Sequence, residues 1–280
     1  MIESANIRRP KLRLATVLLA ILLFTALAST VSSLRVSGVI LQAEPAPGDR
    51  VDLSMEVGLG QNDTPTNFSL EVMDWQQSLQ GDNNAVENYS TPYSAKNLLK
   101  VAPSSFYLES GDAQKVTVEV DIPKEAKAGG RYAIINVHSA QEGVTGDSVV
   151  STHVAINALV ALNVTGPGIQ KSGEITNLSA EEPSSANRQN VSLIFNNTGN
   201  IHYKILTEMV LKDNEGRVLA NATILPISSV LPGASRLLQL SLIPAERLLP
   251  GTYIVEAKVS LENERMLASR SAQLKVSLSF

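Results

Sequence analysis

From Val36 onward apolar and polar residues alternate in short runs, the two-residue period of strands with one face buried. Val116, Val118, Val120 and Ile122 share one face, with charged or hydroxyl residues between them. Val154, Ile156, Ala158, Val160, Leu162 and Val164 do the same over a longer run. Further strands are predicted at Val36 to Leu41, Val51 to Val57, Phe68 to Trp75, Tyr132 to Val137, Val191 to Phe195, Ile205 to Lys212, Arg217 to Ala220, Leu237 to Ile243, Tyr253 to Val259 and Ala272 to Leu278. Turn residues separate them. Pro45-Ala46-Pro47-Gly48-Asp49, Asn197-Thr198-Gly199-Asn200 and Asp213-Asn214-Glu215-Gly216 combine preset and permissive backbone angles. Gln76 to Lys96 is polar, rich in Asn, Gly and Ser, and reads as a long exposed loop, and Pro123 to Ala128 as one helical turn. Many short strands with regular turn signals predict an all-β fold of two tandem immunoglobulin-like sandwiches.

A repeated phrase supports two copies of one module. Ser104-Ser105-Phe106, Gly111, an alternating run to Pro123 and Gly130-Arg131-Tyr132 return as Ser228-Ser229-Val230, Gly233, a run to Pro244 and Gly251-Thr252-Tyr253. Gly166-Pro167-Gly168 breaks the longest run and is the candidate linker. The expected domains are residues 34–166 and 169–280. Tyr132 and Tyr253 each open a late strand, as in a tyrosine corner whose hydroxyl returns to nearby main chain. Trp75, the only tryptophan, is expected to fill the first core.

The first residues change the picture of location. Arg8, Arg9, Lys11 and Arg13 precede the uncharged apolar stretch Leu14 to Leu27, and Ala26-Leu27-Ala28 fits a cleavage site. Residues 1–28 therefore read as a signal peptide, with an uncleaved anchor as the alternative, and the protein as secreted or held in the cell envelope. Membrane contact is expected only through this segment if it stays uncleaved. A net charge of −4 and no basic cluster beyond it argue against a nucleic-acid partner. The chain has no cysteine, which removes disulfides, thiolate metal sites and a cysteine nucleophile.

Candidate chemistry is sparse. His138, His153 and His202 lack metal-ligand spacing, no serine sits in a nucleophile elbow, and Asp213 to Gly216 lacks the later ligands of a calcium loop. No catalytic residues, metal or cofactor are expected. Eight Asn-x-Ser/Thr sequons, at Asn62, Asn67, Asn88, Asn163, Asn177, Asn190, Asn196 and Asn221, are either glycosylation acceptors or the ordinary polar composition of β-domain surfaces. The Val154 to Val164 strand is either the inner face of the first sandwich or an edge that pairs with a partner's strand, with Val154, Ile156, Val160 and Leu162 as the contact residues.

The chain resembles the WxL-interacting surface proteins of Gram-positive bacteria. The shared features are Pro45 to Asp49, Val101-Ala102-Pro103-Ser104-Ser105-Phe106, Gly129 to Tyr132, Asn197 to His202, Val230-Leu231-Pro232-Gly233 and Pro250 to Tyr253. That resemblance implies a non-enzymatic adhesion or surface protein whose partners are cell-wall polymer or surface proteins. More distantly the chain is similar to periplasmic pilus-assembly chaperones, which implies strand donation to a protein client. Their basic carboxylate clamp has one candidate here, Arg35, and the closing strand offers Asn157 and Asn163 where a Lys or Arg would stand.

Overall fold

The computed structural model describes residues 34–89, 91–145, 148–181, 188–226, 228–262 and 265–277, with the backbone alone described over 140–154. The expected signal segment, residues 1–28, lies outside them. The first half carries β1 (Arg35–Ser37), β2 (Ile40–Ala43), β3 (Arg50–Gly58), β4 (Thr66–Gln77), β5 (Asn83–Val86), β6 (Leu99–Ala102), β7 (Ser105–Leu108), β8 (Ala113–Asp121), β9 (Gly129–Thr145) and β10 (Ser148–Val164). The second carries β11 (Gly173–Ala180), β12 (Gln189–Asn197), β13 (Ile205–Lys212), β14 (Val218–Ile224), β15 (Ser235–Leu242), β16 (Gly251–Leu261) and β17 (Met266–Val276). Among the described residues the one helical element is a 3₁₀ turn at Lys96–Leu98. Pro123 to Ala128 is a turn closed by the Ala126 N–H on the Pro123 carbonyl, not a helix.

Each half is a pair of sheets. In the first, β1-β3-β8-β6 faces β2-β10-β9-β4-β5, with β7 also on β4. In the second, β11-β12-β15 faces β14-β13-β16-β17. The alternating residues fill the space between. Val116, Val118, Ala158, Val160, Leu162 and Val164 are fully buried in the first core. Leu193, Phe195, Met209, Leu211, Val255 and Val259 are fully buried in the second. A fully buried aliphatic side chain contributes roughly 1.5–3 kcal/mol, so two such cores stand without disulfides.

The stretch expected as one strand, Val36 to Leu41, is two. β1 pairs antiparallel with β3 in one sheet, whereas β2 pairs parallel with β10 in the other. The crossing is made at Gly38, whose φ of +72° an L side chain rarely adopts and whose missing Cβ would stand 3.1 Å from the Ser54 carbonyl oxygen. The chain therefore stitches both sheets before the first long strand begins.

Candidate functional site: an open strand edge beside an interdomain joint

Gln76 to Lys96 is not a free loop. It contains the hairpin strand β5, and its turn docks on the second sandwich. The Leu237 N–H bonds the Leu79 carbonyl at 2.8 Å, so this turn covers part of the β15 edge. Gln77 clamps the segment ahead of β15 from both sides: its Nε2 donates to the Ser229 carbonyl at 3.1 Å and its Oε1 accepts the Leu231 N–H at 2.9 Å. Beneath the same turn lies Arg236, 9 % exposed, held by the Ser228 hydroxyl and the Ser229 carbonyl. Burial lowers its pKa, opposed by the nearby Asp82 carboxylate.

Tyr132 is the centre of the joint. Its ring folds back over Gly130, where any Cβ would collide with the phenol, and packs with Ala161 and Leu231. Its hydroxyl oxygen accepts the His202 N–H at 2.8 Å and lies 2.9 Å from His202 Nδ1. A neutral imidazole carrying its proton on Nε2 accepts the phenolic proton at Nδ1; the tautomer decides which of the two atoms donates. Burial and then the positive charge of Lys171 lower the His202 pKa, in keeping with that neutral form. Burial raises the Tyr132 pKa. Asn200 seals the joint: its carbonyl accepts the Gly130 N–H at 2.7 Å, and its Nδ2 donates to Gly168 and Ala128 carbonyls.

Two expectations are corrected here. Trp75 does not fill the first core; it is half-buried, packs on the joint cluster and meets Tyr132 edge-on at 5.9 Å, with its indole N–H on Asn83 Oδ1. Tyr132 is not a tyrosine corner, because its hydroxyl crosses to the other sandwich. Tyr253 does return to nearby main chain, donating to the Leu249 carbonyl at 2.8 Å. The two copies of one phrase thus serve different ends.

Next to the joint, β10 has an unequal border. On one side it pairs with β9 along its whole length, from Ser148↔Thr145 to Val164↔Gly129. On the other, β2 covers only Leu159 to Leu162, and the Leu159 N–H bonds the Val39 carbonyl at 2.7 Å. Among the described residues no strand pairs with that edge from Ser148 to Ala158. Backbone groups alternate sides along a strand. Since Leu159 points to the β2 side, the N–H and C=O groups of Asn157, Ala155 and the odd-numbered residues before them point away from β9, to the side where no described strand lies. The strand carries no Lys, Arg, Asp, Glu, Pro or Gly, the residues that usually guard an edge.

The expected contact residues sit differently along this strand. Val160 and Leu162 are fully buried in their own core, and their edge is already taken by β2, so their side chains do not face a partner. Ile156 is half-buried, and the side chain of Val154 lies outside the description, as does that of His153. The other face of the sheet carries what periodicity alone overlooked. Met73, Ile134, Leu159 and Ile40 form one row across β4, β9, β10 and β2, with Ile134 fully buried and Ile40 61 % exposed. In the next row Asn136 Nδ2 donates to Asn157 Oδ1 at 2.6 Å, and beyond it His138 lies 3.7 Å from Glu71.

Arg35 lies on β1 in the opposite sheet, facing Gly58 of β3, and so does not stand beside β10. Asn62, Asn67, Asn88, Asn177, Asn190 and Asn221 are exposed, whereas Asn163 and Asn196 are half-buried, and Asn163 Oδ1 is buried without a partner. Asp213 closes its turn by accepting the N–H groups of Glu215 and Arg217 and the Arg217 side chain. Those bonds, the Arg217 N–H foremost, hold its carboxyl below the usual range. Among the described residues no group of three His, Cys, Asp or Glu converges on a metal-sized site.

No family model matches the chain, and no curated protein matches it. The resemblance to WxL-interacting surface proteins therefore has no counterpart in these comparisons. Loose likenesses in chain path do occur among solved structures. One is a chaperone–tip adhesin complex of CFA/I fimbriae, at 10 % identity over 88 % of this chain and 100 % of that one, TM-score 0.45. Another is the Salmonella enterica SafA pilin with the SafB chaperone, at 14 % identity over 89 % and 99 %, TM-score 0.37. A third is the Pseudomonas aeruginosa CupB2 chaperone, at 10 % identity over 87 % and 100 %, TM-score 0.38.

Proposed function

We propose that this protein is an exported, non-enzymatic binding protein that holds an extended segment of a protein partner at the β10 edge, in the manner of an assembly chaperone. The observation that carries this reading is the border of β10, closed by β2 at Leu159 and, among the described residues, unpaired from Ser148 to Ala158. An edge of that length with no guarding charge is a template for strand addition, in which main-chain hydrogen bonds give affinity. The joint supports the reading, because two sandwiches fixed by Tyr132, Gln77 and Asn200 hold the edge in a constant setting. Export rests on residues 8 to 28. A cell-wall polymer as partner finds less support: Trp75, Tyr93 and Tyr132, three aromatic side chains of the first sandwich, are engaged in the joint.

Proline at Ala155 is the direct test. It deletes an N–H that points outward and leaves the β9 ladder whole, so the fold is expected to survive as edge strands tolerate proline. The Ala155→Pro protein should melt close to the parent yet lose its envelope partner in co-purification, and the partner should protect the Ala155 and Asn157 amides from hydrogen exchange. Unchanged capture by Ala155→Pro, or no protection at those amides, would sink the reading.

A further inference from the structure

We infer that the segment held at the β10 edge is an uncharged strand that places a carboxamide, Asn or Gln, beside Asn157. This rests on the strand-addition reading and specifies its partner. Asn157 is an exposed residue whose Oδ1 is taken by Asn136 Nδ2 at 2.6 Å. Among the described residues nothing bonds to Asn157 Nδ2, which leaves a donor at the margin of the sheet. The pairing geometry fixes where that donor points. Leu159 sends its N–H toward β2, so Asn157, two residues earlier, belongs to the same outward-facing set, and Asn157 and Asn136 form a non-hydrogen-bonded pair across β10 and β9. Side chains of such pairs stand closest. An antiparallel strand added beside β10 would instead bond the outward N–H and C=O of Asn157, a pair whose Cα atoms stand about 5.5 Å apart, still within reach of its amide.

Asn136 and Asn157 are thus two rungs of an amide ladder that stops at an open edge, and stacked Asn or Gln side chains extend such ladders from strand to strand. A third carboxamide accepts from Asn157 Nδ2 through its oxygen and still offers its own donors to water. The surroundings argue against a charge at this position. Neither Ala155 nor Ile156 supplies a counter-charge, and among the described residues the nearest ionisable groups, His138 and Glu71, lie 3.7 Å from each other within the sheet. A charge beside Asn157 would lose hydration with nothing to replace it. On the inner face the added strand would lie beside half-buried Ile156, which calls for apolar neighbours on either side of the carboxamide. The ladder also sets register, since a slip by one residue would turn the carboxamide toward the core.

The test uses the full chain and fluorescent nine-residue peptides of alternating Val and Thr with lysine tags, differing only at the central Thr-face position: Asn, Gln, Leu, Asp or Lys. Anisotropy titration should rank Asn and Gln first, with Leu about 5-fold weaker, the change worth one hydrogen bond, and Asp and Lys weaker still. Asn157→Leu should abolish the carboxamide preference and favour the Leu peptide. Asn157→Thr, a good strand residue, should abolish it too and carries the test if Asn157→Leu misfolds. Equal affinity of all five peptides for the parent, or an Asn preference that survives both substitutions, overturns the inference while leaving strand addition standing. Absence of binding by every peptide overturns both. Self-association that Ala155→Pro removes assigns the edge to a second copy and overturns the inference as well.

Discussion

The hydroxyl of Tyr132 in the first sandwich is bound to both the N–H and the imidazole of His202 in the second. Removing it with Tyr132→Phe keeps the ring and its packing but leaves the His202 N–H without its acceptor. A partly buried donor left unpaired costs about 1–3 kcal/mol. Trp75, the only tryptophan, lies edge-on to that ring, so its fluorescence is the natural probe in urea unfolding. The midpoint should fall without loss of β-structure at low urea.

The same contact makes the joint sensitive to acid. The folded-state pKa of His202 is lowered by burial and by Lys171, so between that value and about 6.5, the usual value in an unfolded chain, the unfolded state binds more protons. Stability from the neutral imidazole is complete above that pH and is lost as pH falls through the window. Urea midpoints measured from pH 8 to pH 5 should decline, and His202→Gln should flatten the decline in that range.

Gln77 joins the same two bodies from another side. Gln77→Ala leaves the Leu231 N–H unpaired and the Ser229 carbonyl with Arg236 alone, a cost of roughly 1–3 kcal/mol for the orphaned N–H if it is fully removed from water. Combined with Tyr132→Phe it should broaden the distance distribution from small-angle scattering, because each substitution removes an independent tie. A double variant as compact as the parent would contradict a joint held by these two residues.

Substitutions within the β10 core should act on folding and not on capture. Leu162→Ala removes a fully buried side chain from a packed core, which costs about 2–5 kcal/mol. Val160→Lys buries a charge where no partner exists and should yield an unfolded or insoluble chain. Thermal unfolding followed by circular dichroism distinguishes these from Ala155→Pro, which should melt near the parent.

Alternation made most strands legible because they have a single buried face: Val116, Val118 and Val120 announce β8 as Val191, Leu193 and Phe195 announce β12, whereas β9 is buried on both faces from Tyr132 to Val137. The repeated phrase was legible for the same reason. Its runs are β8 and β15, and both Gly111 and Gly233 take positive φ in the turns before them. What periodicity could not show was where a hydroxyl or amide goes. Tyr132 and Tyr253 look alike in the chain, yet one bonds across the joint and the other back to Leu249. Nor could it show pairing. Val160 and Leu162 were marked by apolarity, a property of the core, whereas an edge is defined by unpaired backbone at Ala155 and Asn157. The signal for the site was present in a different form, as a long strand without a charge and with an Asn in its polar face. The polar Gln76 to Lys96 stretch misled because polar residues serve a hydrogen-bonded joint as well as they serve solvent.

The parallel strand β2 occupies the lane beside β10 from Leu159 on, with Val39 at its head, and this gives the lane a blind end. A segment lying there is metered from that stop. Surplus length can run out only past Ser148, never toward the second sandwich. Two partners of different length would thus share one fixed terminus and differ only in the overhang at the other.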